Sequence, residues 1–476
     1  MSKRSRNVCQ SCGAVSGKWA GKCEACGAWN TIVEEVVPEA APKSTSAAQG
    51  RALKSENLSG MARELRRLQS GIREFDVVTG GGLVPGSATL VGGEPGIGKS
   101  TLLLQVAGAL AKLKLPATYV TGEEAADQVR HRAQRLGCGD APVRLVAATN
   151  VSDILATLEQ GEAPAIVVID SIQTMFVEGL DSAPGSVAQV RGSAQALVAQ
   201  AKRSGAALVL LGHVTKEGVI AGPRVLEHMV DTVLTFEGER GHTFRILRAT
   251  KNRFGPADEI GVFTMTAAGL REEPNPSALF LSDHSANTSG TAVFAGIEGT
   301  RPVLVEIQAL VAPSPLATPR RAVVGWDSAR LAMVLAVLEA RCGVAMAGRD
   351  VYLNVTGGLR ISEPGADLAA AAALVSSLTG EPVPAGTVLF GEVGLSGDVR
   401  AVAHSALRLK EAAKLGFKSA WTPPARGDAE DSALNVVTIR HLSDLVARVG
   451  GVALEARASS RDDIDAPLPL RERKVR

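Results

Sequence analysis

The residues Gly93-Glu94-Pro95-Gly96-Ile97-Gly98-Lys99-Ser100 fit the pattern G-x-x-x-x-G-K-[ST]. Glycines at those spacings let backbone N–H groups turn inward around a β-phosphate, helped by the positive end of the helix that follows. Lys99 is expected to neutralise the β- and γ-phosphates and Ser100 to ligate Mg²⁺, with Thr101 in the same turn. The implied cofactors are ATP or ADP and Mg²⁺. A second element, Ala165-Ile-Val-Val-Ile-Asp170, is an apolar run ending in an acid, so Asp170 is placed to hold Mg²⁺ through water at the carboxyl edge of a sheet. A third, Ala117–Thr121, runs into Gly122-Glu123-Glu124. A carboxylate there can orient or deprotonate the attacking water; Glu123 is the first choice and Glu124 the second. His213 closes another apolar run. A lone histidine is usually just a satisfied polar residue, but at this edge it can sense the γ-phosphate and pass the signal to the polar loop that follows.

Cys9-Gln-Ser-Cys12 and Cys23-Glu-Ala-Cys26 are paired Cys-x-x-Cys knuckles, each followed by glycine. Four such sulfurs suit tetrahedral Zn²⁺ and leave no open position for catalysis, so the metal is expected to hold shape. Trp19 and Trp29 are expected to pack over it. Cys138 and Cys342 stand alone and read as inert thiols. Crowded cysteines in a chain with no apolar leader argue for metal rather than disulfides.

These groups need an α/β scaffold. Strands are expected at Ser87–Val91, Ala117–Thr121, Val143–Ala147, Ala165–Ile169, Ala206–Leu211, Thr232–Phe236 and Phe244–Ala249. Helices intervene; Ser100–Leu113 puts Leu103, Val106, Ala107 and Leu110 on one face. Near-continuous apolar strands alternating with helices imply a mostly parallel sheet covered on both sides. A second α/β region follows, with a strand at Val303–Leu310 and helices at Ser328–Arg341 and Asp367–Leu378. The expected division is a zinc module at 1–30, a flexible linker at 31–62, an ATPase domain at 63–270, a linker at 271–285, a second α/β domain at 286–455 and a frayed tail at 456–476.

A chain of 476 residues is too long for one core, which fits that division. Hydrophobic residues at 45% and charged residues at 21% speak against disorder and fibres. No apolar run reaches the ~18 residues of a membrane span, and the N-terminus has no apolar leader segment. A cytoplasmic protein is expected. The 51 basic and 49 acidic residues leave +2, which by itself does not point to nucleic acid. The basic groups are uneven, however: residues 1–30 hold five Lys/Arg against one acid, and 51–73 hold six against two. Such a front end can contact phosphate or stay a solvated arm.

Residues 63–270 resemble a RecA-fold recombinase ATPase. The approach Ser70-Gly-Ile-Arg-Glu-Phe-Asp76, Gly80-Gly-Gly-Leu83, Pro85-Gly86 before the glycine loop is similar to that of RecA, KaiC and hexameric replicative helicases. With Lys251-Asn252-Arg253-Phe254-Gly255 and the four-Cys module, the chain is identified as a member of the bacterial RadA (Sms) family of DNA repair proteins. The resemblance implies a homo-hexameric ring on single-stranded and branched DNA, acting by branch migration or D-loop unwinding beside a recombinase or replication protein. It also implies that Lys251 and Arg253 act next to nucleotide or DNA, reaching into a neighbouring subunit in the manner of an arginine finger. Read without the family, the same segment is a surface turn after a strand. The loops Met175–Ser186 and 215–224 would face the channel. They offer Lys216 and Arg224 with Phe176 as their aromatic, which favours tracking of phosphates over base stacking. A KaiC-like autokinase or signalling ATPase is the alternative.

Ser376-Ser-Leu-Thr-Gly380-Glu-Pro382-Val and Gly391-Glu392-Val-Gly-Leu-Ser-Gly397 resemble the Lon protease domain. Along that ungapped match the nucleophile position falls on Gly365 and the lysine position on Arg408; Ser362 and Lys410 are off register. Glycine has no hydroxyl and arginine keeps its proton. The resemblance therefore implies a domain without protease activity.

Overall fold

The computed structural model describes residues 5–9, 15–24, 27, 29, 32–36, 66–213, 225–238, 243–281, 288–424 and 433–450. The chain divides into two units, Met1–Pro274 and Asn275–Arg476.

The first unit begins with a small antiparallel sheet of β1 (Ser5–Cys9), β2 (Val15–Ser16) and β3 (Ile32–Val36), with β1 in the centre. Strand β3 pairs along the whole of β1, Cys9 opposite Ile32. The module therefore extends past residue 30 into what the sequence assigns to the linker. Ile32 supplies a β-branched side chain that suits a strand. Residues 37–62 of that linker and the tail at 456–476 lie outside the described residues.

The main sheet of this unit has nine strands: β4 (Ala88–Gly93), β5 (Ala117–Thr121), β6 (Val143–Ala147), β7 (Ile166–Asp170), β8 (Ala207–His213), β9 (Thr232–Glu237), β10 (Phe244–Asn252), β11 (Ile260–Thr266) and β12 (Gly269–Glu272). Their order is β12-β11-β10-β9-β4-β8-β7-β5-β6. From β9 to β6 every pairing is parallel. The period-two alternation of each strand feeds two cores. Val91, Val168 and Val209 meet helix Lys99–Lys112 on one face, while Leu90, Ile169 and Leu210 meet helices Val151–Leu158 and Val187–Ser204 on the other.

Strands β10, β11 and β12 add an antiparallel extension, of which the sequence reading contained only the first part of β10. Short connections such as the one at Gly269, where φ is +110°, allow hairpins but not parallel crossovers. Strand β12 runs to Glu272, and helix Ser277–Phe280 follows at the start of the second unit. The division between the units, at Pro274 and Asn275, falls inside the stretch 271–285 expected as a linker, although secondary structure reaches into that stretch: Phe280 is buried, and the Ser277 hydroxyl accepts the Leu304 N–H at 3.1 Å.

The second unit is built on β13 (Thr291–Glu298), β14 (Arg301–Pro313), β15 (Arg321–Val324), β16 (Arg349–Val355), β17 (Thr387–Leu389), β20 (Ser419–Thr422) and β21 (Asn435–Thr438), ordered β15-β16-β14-β13-β17-β20-β21. A separate ribbon pairs β18 (Glu392–Val393) with β19 (Val399–Arg400). Helix Asp367–Thr379 is nearly all buried, since its run Ala369–Ala373 lets it lie close against β13 and β14. Helices Ser328–Cys342 and Ser405–Lys414 complete the unit. Among the described residues no helix is long and apolar enough to cross a membrane.

Candidate nucleotide site and its surroundings

Parallel register brings four strand ends to one edge: Thr121 of β5 lies opposite Asp170 of β7, and Gly93 of β4 opposite His213 of β8. The glycine loop leaves β4 there and enters helix Lys99–Lys112, one residue earlier than expected. A side chain at Gly93 would press within 2.6 Å of the Phe236 carbonyl. Gly98, the residue before the helix, has φ +116°, which favours glycine. Glu94, Pro95 and Gly96 are exposed, Ile97 and Lys99 are buried, and Ser100 and Thr101 are half-buried. The Lys99 ammonium donates to the carbonyls of Gly93 at 2.8 Å and Glu94 at 2.9 Å, spanning the loop that a phosphate would enter. Burial lowers its pKa, opposed by the carboxylates of Asp170, Glu123 and Glu94.

Asp170 is 7% exposed. Its Oδ2 accepts the Tyr119 hydroxyl at 2.5 Å, and the carboxylate is also hydrogen-bonded to Ser100. Burial raises its pKa, while those two hydrogen bonds pull it down. The two oxygen groups expected to hold Mg²⁺ thus converge beside the Lys99 ammonium, and hard oxygen ligands of this kind fit that ion.

The two candidate carboxylates separate cleanly. Glu124 is engaged by the guanidinium of Arg132 from helix Ala126–Arg135. Glu123 instead faces the strand edge, where its Oε1 accepts the Ser171 hydroxyl and lies 2.9 Å from His213 Nε2. The His213 hydrogen bond is the largest influence on Glu123; with Ser171 and the Lys99 charge it outweighs burial and brings the pKa to about 2.

Other predicted residues fall elsewhere. Strand β10 runs antiparallel to β9, with Lys251 opposite Val233 and Asn252 opposite Thr232, at the beginning of β9. Lys251 and Arg253 therefore lie at the edge of the sheet opposite this chain's own glycine loop, and do not flank its phosphate site. Lys251 Nζ caps carbonyls of Glu227 at 2.6 Å and Val230 at 2.7 Å. Arg253 Nη1 is 3.2 Å from Asp231 Oδ1, with 58% of its side chain exposed. Lys216 and Arg224 lie outside the described residues. The loop Met175–Ser186 carries Glu178 and Asp181 but no cation. It is fastened by Gln189, whose amide bonds the Val177 N–H and the carbonyls of Leu180 and Ser182. Phe176 is held by two backbone bonds, to Thr149 and Val151. This loop therefore brings no cation of its own to the expected DNA path; the expected cations, Lys216 and Arg224, belong to the other loop.

In the small N-terminal sheet Cys9 and Cys23 are buried together with Ile32. The Gly27 N–H closes on the Cys23 carbonyl at 2.8 Å with φ +74°, the knuckle expected after a metal-binding pair. This fits a thiolate-bound ion; Cys12 and Cys26 lie outside the described residues. Trp19 and Trp29 are 63% and 69% exposed, so they do not cover the cysteines. Lys22 instead sits 5.5 Å over the Trp29 ring, a contact that works at a solvated surface.

Two neighbours escaped the sequence reading. Tyr119 was simply a strand residue, and Arg245 of β10, whose Nε donates to the Ile97 carbonyl at 3.3 Å, was not considered. The alternation of β10 could have marked Arg245; nothing local marks Tyr119.

The P-loop at a parallel strand edge, with Asp170 and Glu123 on neighbouring strands, defines an ATPase of the RecA-like class. A family model described as an AAA domain matches residues 56–219, and one described as a rubredoxin metal binding domain matches residues 8–34. A DNA repair protein RadA of Brucella abortus is 58% identical over 93% of this chain and 97% of its own length. Its counterpart from Pseudomonas aeruginosa is 53% identical over 91% and 96%. Among solved structures, that of the RadB recombinase is similar, at 21% identity and a TM-score of 0.36, over 43% of this chain and 99% of that one. The chain belongs to the RadA family of DNA repair proteins.

Proposed function

We propose that this chain is a DNA-dependent ATPase motor that processes recombination intermediates by branch migration or D-loop unwinding. The observation that carries the reading is the bond between Glu123 and His213. His213 is the last residue of β8, and the segment that follows carries Lys216 and Arg224. A change at the γ-phosphate is thereby given a short covalent route to the residues proposed to hold single-stranded or branched DNA.

In this reading Lys99 and the loop 93–98 bind the phosphates, Ser100 and Asp170 hold Mg²⁺, and Glu123 orients water. Held ionised by His213 and Ser171, Glu123 is suited to orienting the attacking water as a hydrogen-bond acceptor. The metal supplies charge neutralisation when bound; the chain supplies position. Lys251 and Arg253 act in trans, in a homo-hexameric ring, since their edge lies away from their own nucleotide. Cys9, Cys12, Cys23 and Cys26 hold structural Zn²⁺ in a module that recognises a recombinase or replication partner, in the cytoplasm.

The second unit is read as a Lon-like scaffold without protease activity. Supporting this, Arg408 is 1% exposed and is bound to Glu363 and to the Ala295 carbonyl at 2.7 Å. Ser362 and Lys410 are both exposed.

The test is ATP hydrolysis with and without single-stranded DNA across low to moderate salt. Stimulation that weakens as salt rises is expected, and Lys99→Ala should abolish turnover. Rates indifferent to DNA would overturn the motor reading, and transfer of phosphate to the chain's own Ser or Thr without DNA would favour the autokinase.

A further inference from the structure

We propose that Tyr119 is a positioning residue for the metal carboxylate: its hydroxyl holds Asp170 through Oδ2 and so fixes the orientation in which the group serves Mg²⁺. The inference rests on the reading of Asp170 as a magnesium residue and extends it to a side chain that plays no other part in that reading.

The geometry is specific. Tyr119 lies in the middle of β5, opposite Val168 in register, and is fully buried. Its ring belongs to the core between the sheet and helix Lys99–Lys112, together with Leu103, Val168 and Leu211. A phenol inside such a core needs a hydrogen-bond partner. The partner is Asp170 Oδ2, at 2.5 Å. A hydrocarbon residue at this site would fill the same volume without the polar cost, so the core alone gives no reason for a tyrosine. What the hydroxyl adds is a donor held by a packed ring, which cannot swing away.

Asp170 sits at the end of β7, where the chain turns into the short helix Ile172–Thr174. Without a second anchor the carboxylate could rotate about its side-chain bonds. Hydrogen bonds from the Tyr119 hydroxyl and with Ser100 restrain that rotation. Mg²⁺ demands near-ideal octahedral geometry, so a carboxylate fixed in advance lowers the cost of binding it. Partners that orient a metal-binding carboxylate generally matter almost as much as the carboxylate. Glu123 and Glu124 lie on the same side of the sheet edge, but each has its own partner, in His213 and Ser171 or in Arg132. Neither replaces the tyrosine.

The experiment measures ADP binding to the full chain by a fluorescent ADP analogue, first in EDTA and then titrated with Mg²⁺. Wild-type protein, Tyr119→Phe, Asp170→Asn and the double variant are compared. Tyr119→Phe should bind ADP in EDTA within about twofold of wild type, which also reports that the core and loop are intact. Its Mg²⁺ half-saturation should rise roughly tenfold. In the Asp170→Asn background the same change should add nothing beyond about twofold, because the tyrosine acts through the carboxylate. Equal weakening in EDTA and in Mg²⁺ would mean a packing role only and overturn the proposal, as would additive losses in the double variant. If Asp170→Asn raises the half-saturation and Tyr119→Phe does not, the tyrosine assignment alone fails. If Asp170→Asn leaves it at wild type, the magnesium reading of Asp170 fails and takes the tyrosine with it.

Discussion

His213 Nε2 lies 2.9 Å from Glu123 Oε1, and that oxygen also accepts the Ser171 hydroxyl. The residues close three neighbouring strands, β5, β7 and β8, so one carboxylate reads the position of all three ends. His213 Nδ1 is buried and has no hydrogen-bond partner among the described residues. Among the described residues the ring is hydrogen-bonded through Glu123.

His213→Ala should separate hydrolysis from DNA. ADP binding should be unchanged, since Lys99 and the loop 93–98 do not depend on the ring. The DNA-stimulated rate should fall by roughly 5- to 150-fold, the usual span of coupling between linked sites, while the rate without DNA falls far less. Steady-state ATPase assays with and without single-stranded DNA measure both. An unchanged ratio of the two rates would remove His213 from the relay.

Glu123→Gln should bind nucleotide normally and lose about 10²–10⁴-fold in turnover, the range for a positioned base. The pH dependence has a definite sign. In the fold the carboxyl titrates at about 2, against an ordinary value of 4.5. A depressed carboxyl stabilises the fold above the unfolded value and loses that contribution as pH falls through the folded one. The difference in melting temperature between wild type and Glu123→Gln should therefore stay level from pH 8 to 5 and shrink below about 4.5. It should be small, because 38% of the side chain is exposed and solvent screens its partners. A difference that grows on acidification would contradict the assigned hydrogen bonds.

The nucleotide loop was legible in the sequence because its chemistry is local: backbone, lysine and hydroxyl sit within a few consecutive positions. The central parallel strands, though less so the edge strand β6 with Arg144 and no buried residue, were legible for a similar reason, since burial on both faces gives β7 and β8 long apolar runs. Tyr119 was not, because its partner is 51 residues away and only strand register brings them together. Lys251 and Arg253 were read as a turn after a strand; β10 runs through Lys251 to Asn252, with Arg253 just beyond. Which edge of the sheet that end occupies depends on the direction of β10, and the six residues between Glu237 and Phe244 are too few for a parallel crossover, so the spacing itself implies the reversal.

Arg253→Ala tests the trans arrangement. The guanidinium is mostly exposed at the edge away from its own P-loop, so ADP binding by the variant should match wild type. Turnover should drop by about 10³-fold or more, as for loss of an arginine finger. Mixing Arg253→Ala chains with Lys99→Ala chains should restore part of the activity, because interfaces form that pair an intact loop with an intact arginine. No recovery on mixing, across a range of ratios, would mean that the residue does not act between subunits. Lys251→Ala should lower turnover as well and, because its ammonium also caps two carbonyls at the end of helix Val225–Met229, should in addition cost about 1–3 kcal/mol of stability.

In the second unit Arg408 makes a fork with Glu363, the Nη1–Oε2 contact being 3.1 Å. It also donates to the carbonyls of Ala295 and Ala403 at 2.7 and 3.0 Å, and its guanidinium lies 5.5 Å from the Phe390 ring centroid. Truncation to alanine strands a carboxylate and two carbonyls, which should cost about 3–5 kcal/mol. The lower end is expected, since Glu363 keeps 21% of its side-chain exposure. Denaturant unfolding of the full chain measures this loss. Arg408→Lys should recover only part of the stability, because an ammonium cannot reproduce the planar fork. The same pair opposes any revival of peptidase chemistry. A Cβ at Gly365 would stand 2.9 Å from Glu363 Oε1, so the glutamate already occupies the space a serine there needs. The combination Gly365→Ser with Arg408→Lys should therefore hydrolyse no casein with or without ATP. Turnover by that variant would show that Glu363 yields more readily than its bonds imply.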